Sequence, residues 1–115
     1  MFTYSMSAFL VLSAGQPPAA AEAQASVPTL AQAVDRCMAT YAVRLTRTDA
    51  ADEAIFSEAT QGCRQISDLL DAAITREYPA GQARELVETL ESNARPNFMR
   101  LLQRIRADRQ RRQGN

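Results

Sequence analysis

Cys37 and Cys63 are the only cysteines in this 115-residue chain, which has no histidine at all. Cys37 lies in AVDRCMATY, residues 33–41, and Cys63 in a partial echo, EATQGCRQI, residues 58–66. A thioredoxin-like redox centre sets its two thiols two residues apart at a helix N-terminus, which lowers the thiol pKa. Here the separation is 26, and both cysteines fall inside helical patterns. A structural zinc site takes about four ligands, usually cysteine and histidine. Two thiols without histidine cannot supply them, so no metal is expected. Covalent haem attachment needs Cys-x-x-Cys-His, which is absent. Two buried free thiols remain as an alternative to an intramolecular Cys37–Cys63 disulfide. The disulfide is favoured by the even count, by the exported character argued below, and by the position of both residues on apolar stripes.

Other catalytic chemistry is poorly supplied. Without histidine the commonest general base at neutral pH is missing. Without lysine there is no serine–lysine pair, and all 13 basic residues are arginine. The four glycines stand at 15, 62, 81 and 114, so no Gly-rich phosphate loop exists. Carboxylates recur at Asp68 and Asp71, and at Glu85, Glu88 and Glu91. On a helical wheel the three glutamates lie opposite Leu86, Val87 and Leu90, which reads as a solvated face. No enzyme activity and no cofactor are expected.

Charge is more informative. Residues 26–94 hold 6 Arg against 11 acids, a net of −5, whereas residues 95–115 hold 7 Arg and one acid, a net of +6. Arg100, Arg104 and Arg111 share one narrow sector of a final helix, opposite Phe98, Leu101, Leu102 and Ile105. Arg106 falls between Arg104 and Arg109 in the chain, and Arg109 and Arg112 follow where the apolar stripe ends. These six are the candidate surface for an anionic partner, an acidic protein or anionic lipid headgroups. A soluble amphipathic helix with cations at its C-terminus has the same signature.

The elements that must position these residues follow from periodicity. Val27, Leu30, Val34, Cys37, Tyr41 and Leu45 recur at spacings of three and four, predicting a helix over about 28–45 with Pro28 in its first turn. TRTDAADE, residues 46–53, is a polar break in which Thr48 or Asp49 could cap the next helix. Ile55, Ala59, Cys63, Ile66, Leu70 and Ile74 predict a second helix over about 52–77. Gly62 costs about 1 kcal/mol in a helix interior, so its presence suggests a close backbone neighbour. Pro79 pushes Tyr78 out of helical geometry and ends that helix. Leu86, Leu90, Ala94, Phe98, Leu102 and Ile105 keep phase across Pro96. A proline there costs about 3 kcal/mol and one backbone bond. It predicts either a kink near Asn93 or a split into helices 79–93 and 95–110, followed by a frayed tail, residues 111–115.

The cysteine spacing constrains the first hairpin. Bridged Cα atoms lie within about 7 Å, and residues level with each other in an antiparallel hairpin are equidistant from the turn. The turn must therefore centre near Ala50. A helix starting at Asp49 would offset the cysteines by about six residues, roughly 9 Å. The second helix should thus start nearer Asp52, unless the helices are bent or steeply crossed.

The first 25 residues differ from the rest. MFTYSMSAFLVLSAG has no charged side chain, and its apolar run is too short to span a membrane, which takes roughly 20 residues. Ala21-Glu22-Ala23 and Ala23-Gln24-Ala25 each fit a signal-peptidase site, so residues 1–25 are expected to be a cleaved signal peptide. The expected product is an all-α domain, residues 26–110, forming a small antiparallel bundle of three to four helices. Apolar residues make up 46% but many are alanine, so the core is thin and a covalent staple matters. The lysine-free, arginine- and alanine-rich composition points to a GC-rich bacterial genome. The expected function is a non-catalytic periplasmic or secreted protein that binds a protein or anionic surface, a chaperone-like or stress role being one version. The alternative is a non-exported basic module using its Arg-rich last helix for an acidic partner, a membrane or nucleic acid. Nucleic acid is disfavoured by export.

Overall fold

The computed structural model describes residues 25–114. The expected signal peptide lies outside these residues, apart from Ala25. Four helices follow in order: α1 Val27–Leu45, α2 Asp52–Gly62, α3 Arg64–Glu77 and α4 Ala80–Gln113. The described residues contain no strand. None of their helices is long and apolar enough to cross a membrane.

Each boundary has a local cause. Pro28 stands in the first turn of α1. The Val27 N–H, which has no intrahelical acceptor, donates to the Glu77 carboxylate at 3.1 Å, so the end of α3 caps the start of α1. Tyr78, before Pro79, is extended at φ −122° and ψ 151°, and α3 ends there as the steric rule requires. Neither Thr48 nor Asp49 caps α2. Its N-cap is Ala51, with Asp52 and Glu53 in the first turn. Thr48 closes α1 instead, donating its hydroxyl to the Leu45 carbonyl at 2.6 Å and accepting from the Ala50 N–H at 3.2 Å.

α3 runs antiparallel to α1, since Glu77 meets Val27. α4 returns parallel to α1, because Arg109 near its end reaches the end of α1. Together α2 and α3 form one arm of a three-armed bundle. The single helix expected over residues 52–77 is broken at Cys63, whose φ of −104° and ψ of 9° leave the helical region. The apolar stripe survives the break: Ile55, Ala59, Cys63, Leu70 and Ile74 are all buried.

The break divides the interior. One buried cluster joins Ala42, Leu45, Ile55, Ala59, Phe98 and Leu102. The other joins Leu30, Leu70, Ala73, Ile74 and Ala83. α2 therefore serves one core and α3 the other, while α1 and α4 run through both. Between them α4 is exposed at every position from 88 to 97. Leu90 and Ala94, expected on the buried stripe, lie in this uncovered stretch. Pro96 lies there too, and α4 is one unbroken 34-residue helix rather than two, extending through residues 111–113 of the expected tail. Pro96 and Ser92 are both exposed. Water can therefore serve the Ser92 carbonyl that Pro96 cannot, while both ends of α4 stay docked.

Candidate functional site

The two cysteines meet at the waist between the cores. Their Cα atoms are 6.0 Å apart, a disulfide distance, with the sulfurs bonded. Cys37 stands eight residues before the end of α1, and Cys63 eleven after the start of α2 at Asp52. The remaining offset of three residues, about 4.5 Å along the axes, is what a late start of α2 allows. Cys63 is buried and Cys37 half-buried. The close neighbour expected at Gly62 is a side chain, not a backbone: a Cβ there would collide with the Tyr41 phenol. The Arg44 guanidinium lies over that ring, 4.6 Å from its centroid. This assembly is a clamp, with both sulfurs consumed by each other.

The structure divides the arginine cluster. Arg106 pairs with Asp52 at 2.6 Å and Arg95 pairs with Glu53, both acids being in the first turn of α2. Arg109 donates to the Thr46 hydroxyl and to the Val43 carbonyl, each at 2.7 Å. These three guanidiniums fasten α4 to the α1–α2 hairpin, where cations suit the C-terminal end of α1. Arg106 and Arg109, expected to serve a partner, thus hold intramolecular contacts in the fold. Their spacing carried the signal: Arg109 follows Ile105 by four and Leu102 by seven, so it continues the inward stripe.

Arg100, Arg104, Arg111 and Arg112 remain on exposed positions. Arg100, Arg104 and Arg111 fall within a sector of about 40° and span about 16 Å along the axis. Arg100 contacts the Asn97 side chain and Arg111 pairs with Asp108, both on α4 itself. The recess beside them is lined by Asn97, Arg100, Gln103, Arg104 and Ala107, all from one helix. One helix cannot wall in a small substrate, so the feature is an open ridge of positive charge.

A second recess, between α3 and α4, is lined by Asp71, Thr75, Ala80, Ala83, Arg84, Val87 and Glu88. The Asp71 carboxyl is held above its ordinary 3.8 by partial burial, then by the charges of Glu91 and Asp68. Glu85, Glu88 and Glu91 are exposed, as their wheel positions imply. Among the described residues no group of three or more carboxylates or thiols is arranged to hold a metal ion. No protein-family model matches the chain, and comparison with curated proteins and with solved structures finds no similar protein or fold.

Proposed function

We propose that this is an exported, non-catalytic helical protein that binds a polyanionic partner through the outer face of α4. The observation that carries this reading is the division of the arginines. Arg95, Arg106 and Arg109 are spent on the fold, whereas Arg100, Arg104, Arg111 and Arg112 line the outside with one local acid, Asp108, among them. A narrow sector of one sign of charge concentrates counter-ions along it, which favours a polyanion as its partner. A client-holding version has less support, because the exposed large apolar side chains among the described residues, Val43, Tyr78 and Leu90, lie on three separate stretches of chain.

Export is supported by the disulfide-distance pair and by the leader composition. The intact mass of the protein made in its host tests it. A chain starting at Gln24 or Ser26 and lighter by two hydrogens is expected, and a full-length reduced chain would overturn it. For binding, the test is a salt titration against a soluble polyanion, dextran sulfate, comparing wild type with the triple variant Arg100→Ser, Arg104→Ser, Arg111→Ser. Salt-sensitive binding by wild type and a large loss in the variant are expected. No binding, or equal binding by both, removes the ridge reading.

A further inference from the structure

We propose that the ridge is a docking strip for the phosphate headgroups of an anionic lipid surface, held by charge alone, with α4 lying along the surface and nothing entering the hydrocarbon. This rests on the polyanion-binding reading above and names its partner.

Geometry is the first reason. α4 is a single uninterrupted helix of 34 residues, and Arg100, Arg104 and Arg111 share one line along it. Arg112 adds a fourth guanidinium where the helix ends. A straight row of charges can bring every member to a plane at once, whereas a curved or compact partner meets only some of them. The second reason is the chemistry between the arginines. Asn97, Gln103 and Ala107 carry no charge, and the row's own contacts are local and exposed, Arg100 to the Asn97 side chain and Arg111 to Asp108, so a phosphate can displace them. Arginine forks match phosphate oxygens two at a time. Among the described residues no aromatic ring lines the recess beside the row to stack a nucleobase, as single-stranded nucleic acid sites require. The third reason is where the apolar residues are. An interfacial helix that inserts needs a free apolar face. Here Phe98 and Leu102 are buried in the bundle on the opposite side. Adsorption is therefore peripheral, weak and salt-dependent, with each arginine near the surface contributing about fivefold in partition.

The test uses the oxidised protein isolated from its producing cell. It is sedimented with vesicles of phosphatidylglycerol and phosphatidylcholine, or of phosphatidylcholine alone, at low and high salt. Dextran sulfate and duplex DNA run in parallel. Binding to the anionic vesicles only, weakened by salt, is expected. The triple Arg100, Arg104, Arg111 to Ser variant should lose about a hundredfold. Asp108→Asn should gain about fivefold, because it releases the Arg111 guanidinium and removes a negative charge, while an exposed pair like this one adds little to stability. Circular dichroism must match wild type for both variants. Binding to dextran sulfate with the same arginine dependence but none to vesicles overturns the lipid proposal and leaves the ridge reading standing. Tighter binding to duplex DNA than to vesicles also overturns the lipid proposal. Salt-resistant binding, or binding to phosphatidylcholine alone, would mean insertion and overturns it too. No binding to any probe, or equal binding by the triple variant, overturns both readings.

Discussion

The Arg109 guanidinium reaches the Val43 carbonyl at 2.7 Å across 66 residues of chain. It completes the end of α1, whose last four carbonyls have no helical partner of their own. Ala42 accepts from the Thr46 N–H, Arg44 from the Arg47 N–H, and Leu45 from the Thr48 N–H. Val43 accepts from Arg109 and from the Thr46 hydroxyl. One arginine of the basic segment thus finishes a helix formed far earlier in the chain.

Arg109→Ala should lower stability by about 1–2 kcal/mol, since charge-assisted bonds to the Thr46 hydroxyl and a helix C-terminus are lost together. For a domain this size that is a fall in Tm of roughly 5–10 °C. Arg109→Lys should recover less than half of it, because an ammonium cannot fork to both acceptors. Arg104→Ala, on the outer ridge, should stay within about 0.5 kcal/mol of wild type. Equal melting of the Arg109 and Arg104 variants would show that the inner and outer arginines do not differ in role.

Gly62 and Tyr41 should be energetically coupled. Replacing a helical glycine by alanine ordinarily gains about 1 kcal/mol. Here the new methyl collides with the Tyr41 phenol. Tyr41 must swing away and give up its place under Arg44, so Gly62→Ala should destabilise by about 1–2 kcal/mol. In a Tyr41→Ala background the same change should become neutral or stabilising. A double-mutant cycle by urea denaturation reads the difference. Additive effects of the two substitutions would show that the contact carries no energy.

The clamp itself should be a large share of stability. Closing a 26-residue separation is worth roughly 3.5 kcal/mol in the chain-entropy treatment, against a total of about 5–15 kcal/mol for a typical domain. Replacing both cysteines by alanine, or adding reductant, should lower Tm by about 15 °C or more. The effect should be shared by both cores, because the bond sits where α2 passes to α3. An unchanged Tm under reductant would show that the bond does not support the fold.

What the sequence made legible was the phase of each stripe. Ile55, Ala59, Cys63, Leu70 and Ile74 keep one phase and are all buried, and the demand that Cys37 and Cys63 stand level placed the start of the second arm at Asp52, where α2 begins. The break at Cys63 was not legible, because one residue outside helical geometry leaves the spacing of the stripe intact. Gly62 marked the place, but not the Tyr41 ring that fills it. The uncovered stretch of α4 was hidden for a related reason. Leu90 and Ala94 keep the period of a buried face, yet whether a face is covered depends on the partner, and the two cores leave a gap there. At the candidate site, periodicity put Arg100, Arg104 and Arg111 outside. The inward spacing of Arg109 after Ile105 was available but outweighed by its charge.

Asp71 supplies a pH dependence whose sign is set by its surroundings. Its carboxyl is raised above the ordinary 3.8 by partial burial, then by Glu91 and Asp68. Folding therefore favours the protonated form, and at neutral pH the ionised group works against the fold. Asp71→Asn should raise Tm slightly at pH 7, by no more than about 0.5 kcal/mol for so open a site. The advantage should shrink as pH falls through the raised value toward 3.8, where folded wild type takes up its proton, and vanish below that. A gain that grows on acidification would contradict the assignment.

Pro96 tests whether the length of α4 is imposed by its ends. A proline in a helix interior costs about 3 kcal/mol through the lost bond and the clash with the preceding turn. α4 accepts it because Ala83 docks in one core, Phe98 and Leu102 in the other, and Arg95 is tied to Glu53 beside it. Proline also stiffens the unfolded chain, which offsets about 1 kcal/mol of that cost. Pro96→Ala should therefore stabilise the protein by about 2 kcal/mol, seen as a higher midpoint in urea, with slower amide exchange at Pro96's neighbours. The gain should persist in a Leu90→Ala background, since Leu90 meets no buried cluster. A loss of stability on replacing Pro96 would mean that the helix depends on the proline, and that its two docked ends do not by themselves keep it unbroken.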